Sequence, residues 1–383
     1  MFTFNRGFIA GAALLAILAA PPGAIAQSAI AEQIDAAHTG VVTMQQPLKL
    51  PLTKLWSATL SGTVSFPVIA DGRVIVTVDS MHGEWPSIVA FDKRTGQQLW
   101  STTVNGTVGL TYGQGMVFSV YQQGRLYALD AATGNLVWSV QLPAQSYFTG
   151  VPTYYKGGVF LGGAGSGGTV YAVDAATGAV RWTSEVMNGD ASSPAVSDEG
   201  VFVTYICGNT YAFNPANGHP LWSQRGNCEG GGGSTPSLLP GKALFTRDPI
   251  AGNLVMQPAS GQVVAKFASD TLPALSSSKA FTVSRGALTA WDLGTRKAVW
   301  TFNGTGRNLT SSPLVVDGWV VAGAADGTLS LLDTQTGAVK WSTNVGAPIP
   351  QYSEGYGSPQ GALSAGEGVI GVPAGNLLTV YGN

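Results

Sequence analysis

A short phrase recurs along this chain at intervals of roughly forty residues, and few folds accommodate such a period. It first reads Phe91 Asp92 Lys93 Arg94 Thr95 Gly96 Gln97 Gln98 Leu99 Trp100, and next Leu129 Asp130 Ala131 Ala132 Thr133 Gly134 Asn135 Leu136 Val137 Trp138. It returns with Asp174, Thr177, Gly178 and Trp182, with Asn214, Asn217, Gly218 and Trp222, and with Asp333, Thr336, Gly337 and Trp341. Two copies are worn. One, at Asp292, Gly294, Thr295 and Trp300, reads as a swap of Thr and Gly; the other, at Gln257, Ser260 and Gly261, carries Ala265 in the Trp slot. Trp56 stands without an upstream phrase of its own.

Before each phrase comes an alternating run such as Gly115 Met116 Val117 Phe118 Ser119 Val120, then a turn, then a second run such as Leu126 Tyr127 Ala128 Leu129. These are strand signals separated by turn signals. The Asp or Asn can accept from amides of the following turn, and the Gly supplies a positive φ, so the chain reverses into a strand that carries the Trp. A further strand begins near Ser193 Pro194 or Ser312 Pro313, giving about four short strands per period. Such a sheet cannot bury both faces alone, so neighbouring sheets stack, and radial closure leaves no open ends. The expected fold is therefore all-β: an eight-bladed β-propeller of four-stranded antiparallel blades, over residues 54–383. Trp56, Trp100, Trp138, Trp182, Trp222, Trp300 and Trp341 are its structural repeat residues, lying flat between blades. The last phrase stops at Val380 and Tyr381, where a Trp strand should follow; the Trp56 strand completes it, so one amino-terminal strand closes the ring. Seven blades would require dismissing the worn copy around Gly261.

Composition narrows function by exclusion. The chain has 383 residues, 45% hydrophobic and 10% charged, with 52 Gly and a formal net charge of -2. The hydrophobic fraction suffices for a large core, and the abundant glycine suits many turns. With 19 basic and 21 acidic residues, no excess exists to neutralise many phosphates, so nucleic acid is not an expected partner. Asn5 and Arg6 precede an apolar run from Phe8 to Ala20, and Ala24, Ile25 and Ala26 form a small-residue cleavage site. These read as a secretory signal over residues 1–26, followed by an amino-terminal extension over 27–53; the alternative is a buried helix. No later stretch is long and apolar enough to span a bilayer, and no Cys follows the run to take a lipid, so a soluble periplasmic or secreted protein is expected.

The phrase Ala128 Leu129 Asp130 with Thr133, Gly134 and Trp138 resembles the tryptophan-docking repeat of the PQQ-like, quinoprotein dehydrogenase-like propellers. It differs from WD40 repeats, whose Trp and Asp are adjacent. The resemblance implies either of two functions. One is a pyrroloquinoline quinone (PQQ) dehydrogenase of alcohols or sugars, with bound PQQ and calcium and a disulfide between adjacent cysteines. The other is a non-catalytic scaffold like the BamB-like proteins of outer-membrane β-barrel assembly, which are closer in size. Here the two cysteines, Cys207 and Cys228, are not adjacent, and the carboxylates outside the repeat turns are scattered. His38, His82 and His219 show no metal spacing. The scaffold is the favoured reading, with no catalytic residue, no metal and no cofactor expected, and with a protein partner in the cell envelope such as a barrel-assembly component. A small-ligand-binding propeller is a further alternative, and the protein is expected to be monomeric by itself.

In a four-stranded blade, turns joining the second and third strands share a face with the blade-to-blade connections, while the Thr-Gly turns lie opposite. The first face collects the longer loops, where function concentrates. On it the expected partner-binding residues are Trp85, Tyr147, Phe148, Arg247, Asp248, Arg307, Tyr352, Glu354 and Tyr356, chosen because aromatics and Arg dominate interface energies. Asp190, Glu229 and Asp270 could line the axial channel. Cys207 and Cys228 fall in adjacent loops of the same face, so a disulfide is expected in an oxidising compartment, the alternative being two free thiols.

Overall fold

The structure, a computed structural model, describes residues 28–79, 86–104, 106–145, 147–163, 168–187, 189, 192–228, 232–354 and 359–383. The signal expected over residues 1–26 lies outside the described residues, as do Trp85, Asp190, Glu229 and Tyr356. The chain forms eight antiparallel sheets arranged as an eight-bladed propeller. Blade 1 has strands Val68–Ala70, Arg73–Asp79, Ser87–Asp92 and Gln98–Thr103 from the inside outward, and blades 2 to 7 repeat the pattern. Blade 8 takes Ser364–Gly366, Val369–Ala374 and Leu377–Gly382 from the carboxyl end and Thr53–Thr59 from the amino end, with Trp56 opposite Val380. A β-sheet thus holds the two ends of the described ring together.

Each regular blade places Trp in its outermost strand directly across from a small residue of the third strand. Ala90 faces Trp100, Ala128 faces Trp138, Ala172 faces Trp182, Ala212 faces Trp222 and Ala290 faces Trp300. The ladder slips by one residue just after each pair, a bulge that bends the outer strand toward the next blade. The indole N–H then reaches across the junction. Trp56 donates to Lys93 O, Trp100 to Ala131 O, Trp138 to Ala175 O, Trp182 to Pro215 O, Trp222 to Pro258 O and Trp300 to Thr334 O, at 2.7 to 3.2 Å. Each acceptor is the residue after the Asp, Asn or Gln that opens the next turn.

The same turn explains the conserved spelling of the phrase within this chain. Asp92 Oδ1 accepts from the amide and the hydroxyl of Thr95, which hold its carboxyl below the usual carboxylate range. The Gly that follows Thr has φ near +70° and lies under the indole: a Cβ on Gly96 would sit 2.5 Å from the Trp56 ring, and one on Gly134 2.5 Å from Trp100. Glycine is required there twice over, by φ and by space.

The worn copy in blade 6 is not a swap. Thr295 keeps the Thr position, with amide and hydroxyl both on Asp292 Oδ1, and the left-handed position is taken by Arg296 at φ 58°. Trp341 also departs from the pattern. The outer strand of blade 8 comes from the amino terminus, so no Thr-Gly turn follows, and Trp341 packs edge-on to Tyr381 instead.

Candidate functional site

The eight innermost strands surround an axis, and each would expose backbone amides toward it. The extension ahead of Thr53 supplies the acceptors. Residues 29–42 coil inside the channel, where Ala29 O accepts from Ile69 N, Ile30 O from Tyr112 N, Ala36 O from Val196 N, Ala37 O from Leu238 N, Thr39 O from Leu275 N and Gly40 O from Val315 N, at 2.6 to 2.8 Å. These donors are the middle or last residues of the first strands of blades 1, 2, 4, 5, 6 and 7. Blade 3 is served indirectly: Tyr154 N donates to Thr111 Oγ1, which donates on to Ile30 O. Val41 and Val42 then run parallel to the first strand of blade 7, and Asp317 accepts from Met44 N and Leu48 N as the segment leaves on the Thr-Gly face.

The plug is tightly coiled. Gln33, Ile34 and His38 all have positive φ, sparsely populated for such side chains and maintained by the contacts around them. Gln33 Nε2 donates to Pro273 O and Pro313 O, and His38 Nδ1 donates to Pro236 O; these are carbonyls of the prolines that precede first strands. Gly40 suits glycine because its φ is +67° and a Cβ there would also lie 3.2 Å from the Ala274 Cα. Burial pushes the His38 imidazole down to about 4, so it is neutral at pH 7, with its proton on the nitrogen facing the Pro236 carbonyl.

On the loop face the plug ends in a buried polar cluster. Glu32 is 1% exposed, and Tyr352 Oη donates to its Oε1 at 2.9 Å. The Arg247 guanidinium lies 5.2 Å from the centre of the Tyr352 ring and forms an ion pair with Glu354, which also accepts from the Thr235 amide. Burial pushes the Glu32 carboxyl up to about 7, against the opposing pull of the Tyr352 bond and the Arg247 charge. The buried Arg247 cation therefore faces the Glu354 side chain of its ion pair and a second carboxyl, Glu32, that is protonated through much of the range below neutrality, which limits the charge buried at the axis. Space lined by Glu32, Ser193, Thr235 and Glu354 admits no water-sized sphere.

The structure thus brings Arg247, Tyr352 and Glu354 together, as a seal on the axis and not as an exposed surface. Phe148 is fully buried against Tyr171, and Asp248 is a turn residue that accepts from Gly208 N, Ile250 N and Ala251 N. Of the residues expected to contact a partner, Tyr147 and Arg307 stand exposed, the latter paired with Asp326 at 2.8 Å. Asp270 is exposed too; its carboxylate accepts from Arg285 N, and its carbonyl accepts from Arg247 Nη1 at 3.4 Å, beside the seal. Sequence reasoning missed Met187 and Ile250, 46% and 64% exposed on loops of the same face, and it missed the plug. The plug's only advance signal was an apolar and small-residue extension with Gly40 and two prolines, Pro47 and Pro51. Cys207 and Cys228 are joined as a disulfide, Cα to Cα 5.6 Å, that ties a second-to-third-strand turn of blade 4 to the connection entering blade 5.

The family described as outer membrane protein assembly factor BamB matches over residues 84–225, 148–270 and 251–380. The chain belongs to this family of PQQ-like repeat propellers. BamB from Yersinia pestis is 26% identical over 275 residues, 65% of this chain and 61% of that protein. The dehydrogenase subunit of the quinone alcohol dehydrogenase of Gluconacetobacter polyoxogenes is 31% identical over 157 residues, but the match spans only 20% of that much longer relative. Among solved structures, BamB from Moraxella catarrhalis superposes with a TM-score of 0.63 at 19% identity, covering 87% of this chain and 100% of the other. The quinohemoprotein alcohol dehydrogenase from Comamonas testosteroni gives 0.71 at 16% identity, covering 93% and 80%. These structural likenesses establish the propeller, which both functional branches share.

Proposed function

We propose that this protein is a non-catalytic scaffold of the cell envelope that binds a protein partner on its loop face, in the manner of a BamB-like barrel-assembly subunit. The observation that carries this reading is the plug. A planar tricyclic quinone on the axis would have to displace residues 29–42 and the backbone bonds they make to the inner strands, and the space left beside Glu32 admits no water-sized sphere. The residues present do not fit PQQ there, and no reaction step is derived through it. Matching lengths support the same reading: the relative named BamB is covered over more than half its sequence, the dehydrogenases over about a fifth.

The contact surface is Tyr147, Met187, Ile250 and Arg307, which ring the sealed mouth of the channel on loops of blades 3 to 7 and are exposed. Three apolar groups around a polar centre match the composition of interfaces, with Arg and Tyr as anchors. The test is photo-crosslinking in the native envelope from a probe at position 147 or 250, with identification of the adduct. A barrel-assembly component is expected, lost in Ile250→Asp/Arg307→Glu while the thermal midpoint stays within about 2 °C. If purified protein instead retains added PQQ with calcium and oxidises an alcohol with a dye acceptor, the scaffold reading is wrong.

A further inference from the structure

Blades 5 and 6 meet without a tryptophan. Where six junctions put an indole between outer strands, this one has Ala265, facing Val255 where five regular blades have Ala. The receiving turn is nevertheless built as in the others. Asp292 N donates to Lys297 O and Arg296 N to Asp292 O, at 2.9 and 2.8 Å, as Asp92 N does to Gln97 O and Gly96 N to Asp92 O. Removing the indole while keeping its dock leaves a cavity of about 540 Å³. Phe245, Phe267, Ala280 and Trp291 form apolar walls around Ala265, and Trp291 is fixed by an indole bond to Thr282 Oγ1 at 2.9 Å.

The rim is cationic. Arg296, Lys242 and Lys266 all line the opening, and the one carboxylate there, Asp292, is already engaged by the amide and hydroxyl of Thr295. Arg296 replaces the glycine on which the indole rests elsewhere, and its guanidinium reaches Val264 O at 2.8 Å. A tryptophan tethered at 265 in the usual position would meet its Cβ, as the 2.5 Å separation at Gly96 shows; an untethered ring can settle farther out, against the walls.

We propose that this vacated slot binds a small planar aromatic carboxylate that carries a ring N–H, of the indole-carboxylate class. Its ring lies between Phe245, Phe267 and Trp291, with its carboxylate on Arg296, Lys242 or Lys266. Its N–H points to the carbonyl of Leu293, the residue whose counterparts, such as Lys93 and Ala131, accept the indole in the regular docks. The volume lies within the usual range for small-ligand sites, and a ring with a charged substituent uses both an apolar wall and a cationic rim. This site lies on the outer belt, away from the loop face, and does not depend on the scaffold reading.

The probe is indole-3-acetate, titrated into the full mature chain by calorimetry. Saturable one-to-one binding is expected, at least tenfold tighter than indole, which lacks the carboxylate, and than 1-methylindole-3-acetate, which lacks the N–H. Ala265→Trp/Arg296→Gly should refill the slot, raise the thermal midpoint and abolish binding. Arg296→Glu, an exposed change that leaves the core intact, should weaken indole-3-acetate at least tenfold and leave indole unchanged. Absence of saturable binding at millimolar ligand overturns the proposal. So do wild-type affinity in the refilled variant, or preference for a neutral tryptophan-bearing peptide over the free acid.

Discussion

At the rim of the ring, six indoles meet six equivalent carbonyls across six blade junctions; at the axis, six inner-strand amides meet six carbonyls of one short segment that repeats nothing. Both arrangements satisfy polar groups while burying apolar surface, but they distribute the stabilisation differently. Rim contacts are local to one junction, so one member can be lost, as at Ala265, with the neighbours intact. The plug is hydrogen-bonded to seven blades, directly or through Thr111, and packs on the eighth, so its removal is felt around the whole ring. Repetition gives tolerance; a single central segment gives cooperativity.

Deleting residues 28–42 tests the second half of that contrast and should have the largest effect. The backbone bonds from this segment to the blades at about 1 kcal/mol each, plus burial of Ala29, Ile34 and Val42, give a loss of order 10 kcal/mol. Urea unfolding should show a transition shifted by several molar or no folded baseline, and a peptide of residues 28–48 added in trans should restore part of it. A midpoint near wild type would mean that the rim alone closes the ring.

Trp182→Ala removes one regular dock and should cost about 3 to 5 kcal/mol. Trp341→Ala should cost about 1 kcal/mol less, because Trp341 has an aromatic neighbour but no junction turn to receive its indole. Equal losses would argue that the indole bond adds nothing to the docking. Reducing the Cys207–Cys228 bond, which closes a loop of 21 positions, should lower stability by roughly 3 kcal/mol in the chain-entropy account, read from denaturation with and without reductant.

A further effect is one of pH. Burial raises Glu32 to about 7 from its ordinary 4.5, so folding takes up a proton between those values; its contribution to stability is present below about 4.5 and is lost as pH rises through 7. His38, lowered to about 4 from 6.5, acts oppositely: its contribution is present above 6.5 and lost as pH falls through 4. Glu32→Gln should flatten the decline toward neutrality, and His38→Gln the decline toward acid, in stability profiles measured from pH 4 to 8. If neither profile changes slope, the axis is wetter than its packing indicates.

The rim was readable because its chemistry is written in register. Asp, Thr, Gly and Trp hold fixed offsets, and each makes its bond within a turn or to the next repeat, as Asp92 does with Thr95 and Trp56 with Lys93. Blade number and the pairing of Trp56 with Val380 followed from the same spacing. The loop face was readable only as a face. Phe148 and Tyr352 look like exposed aromatic anchors in sequence, yet one packs on Tyr171 and the other donates to Glu32, a partner 320 residues away. Nothing local to Arg247 or Glu354 marks them as a buried pair.

Sequence alone thus determined the repeating unit, its turn chemistry, its count and its circular closure, because these depend on interactions between residues close in sequence or one period apart. Tertiary structure alone decided what fills the axis, which loop residues remain exposed, and that the missing tryptophan leaves an open, cation-rimmed slot. Those outcomes depend on where eight copies converge, and a channel or a cavity is a property of the space between segments that no single segment encodes.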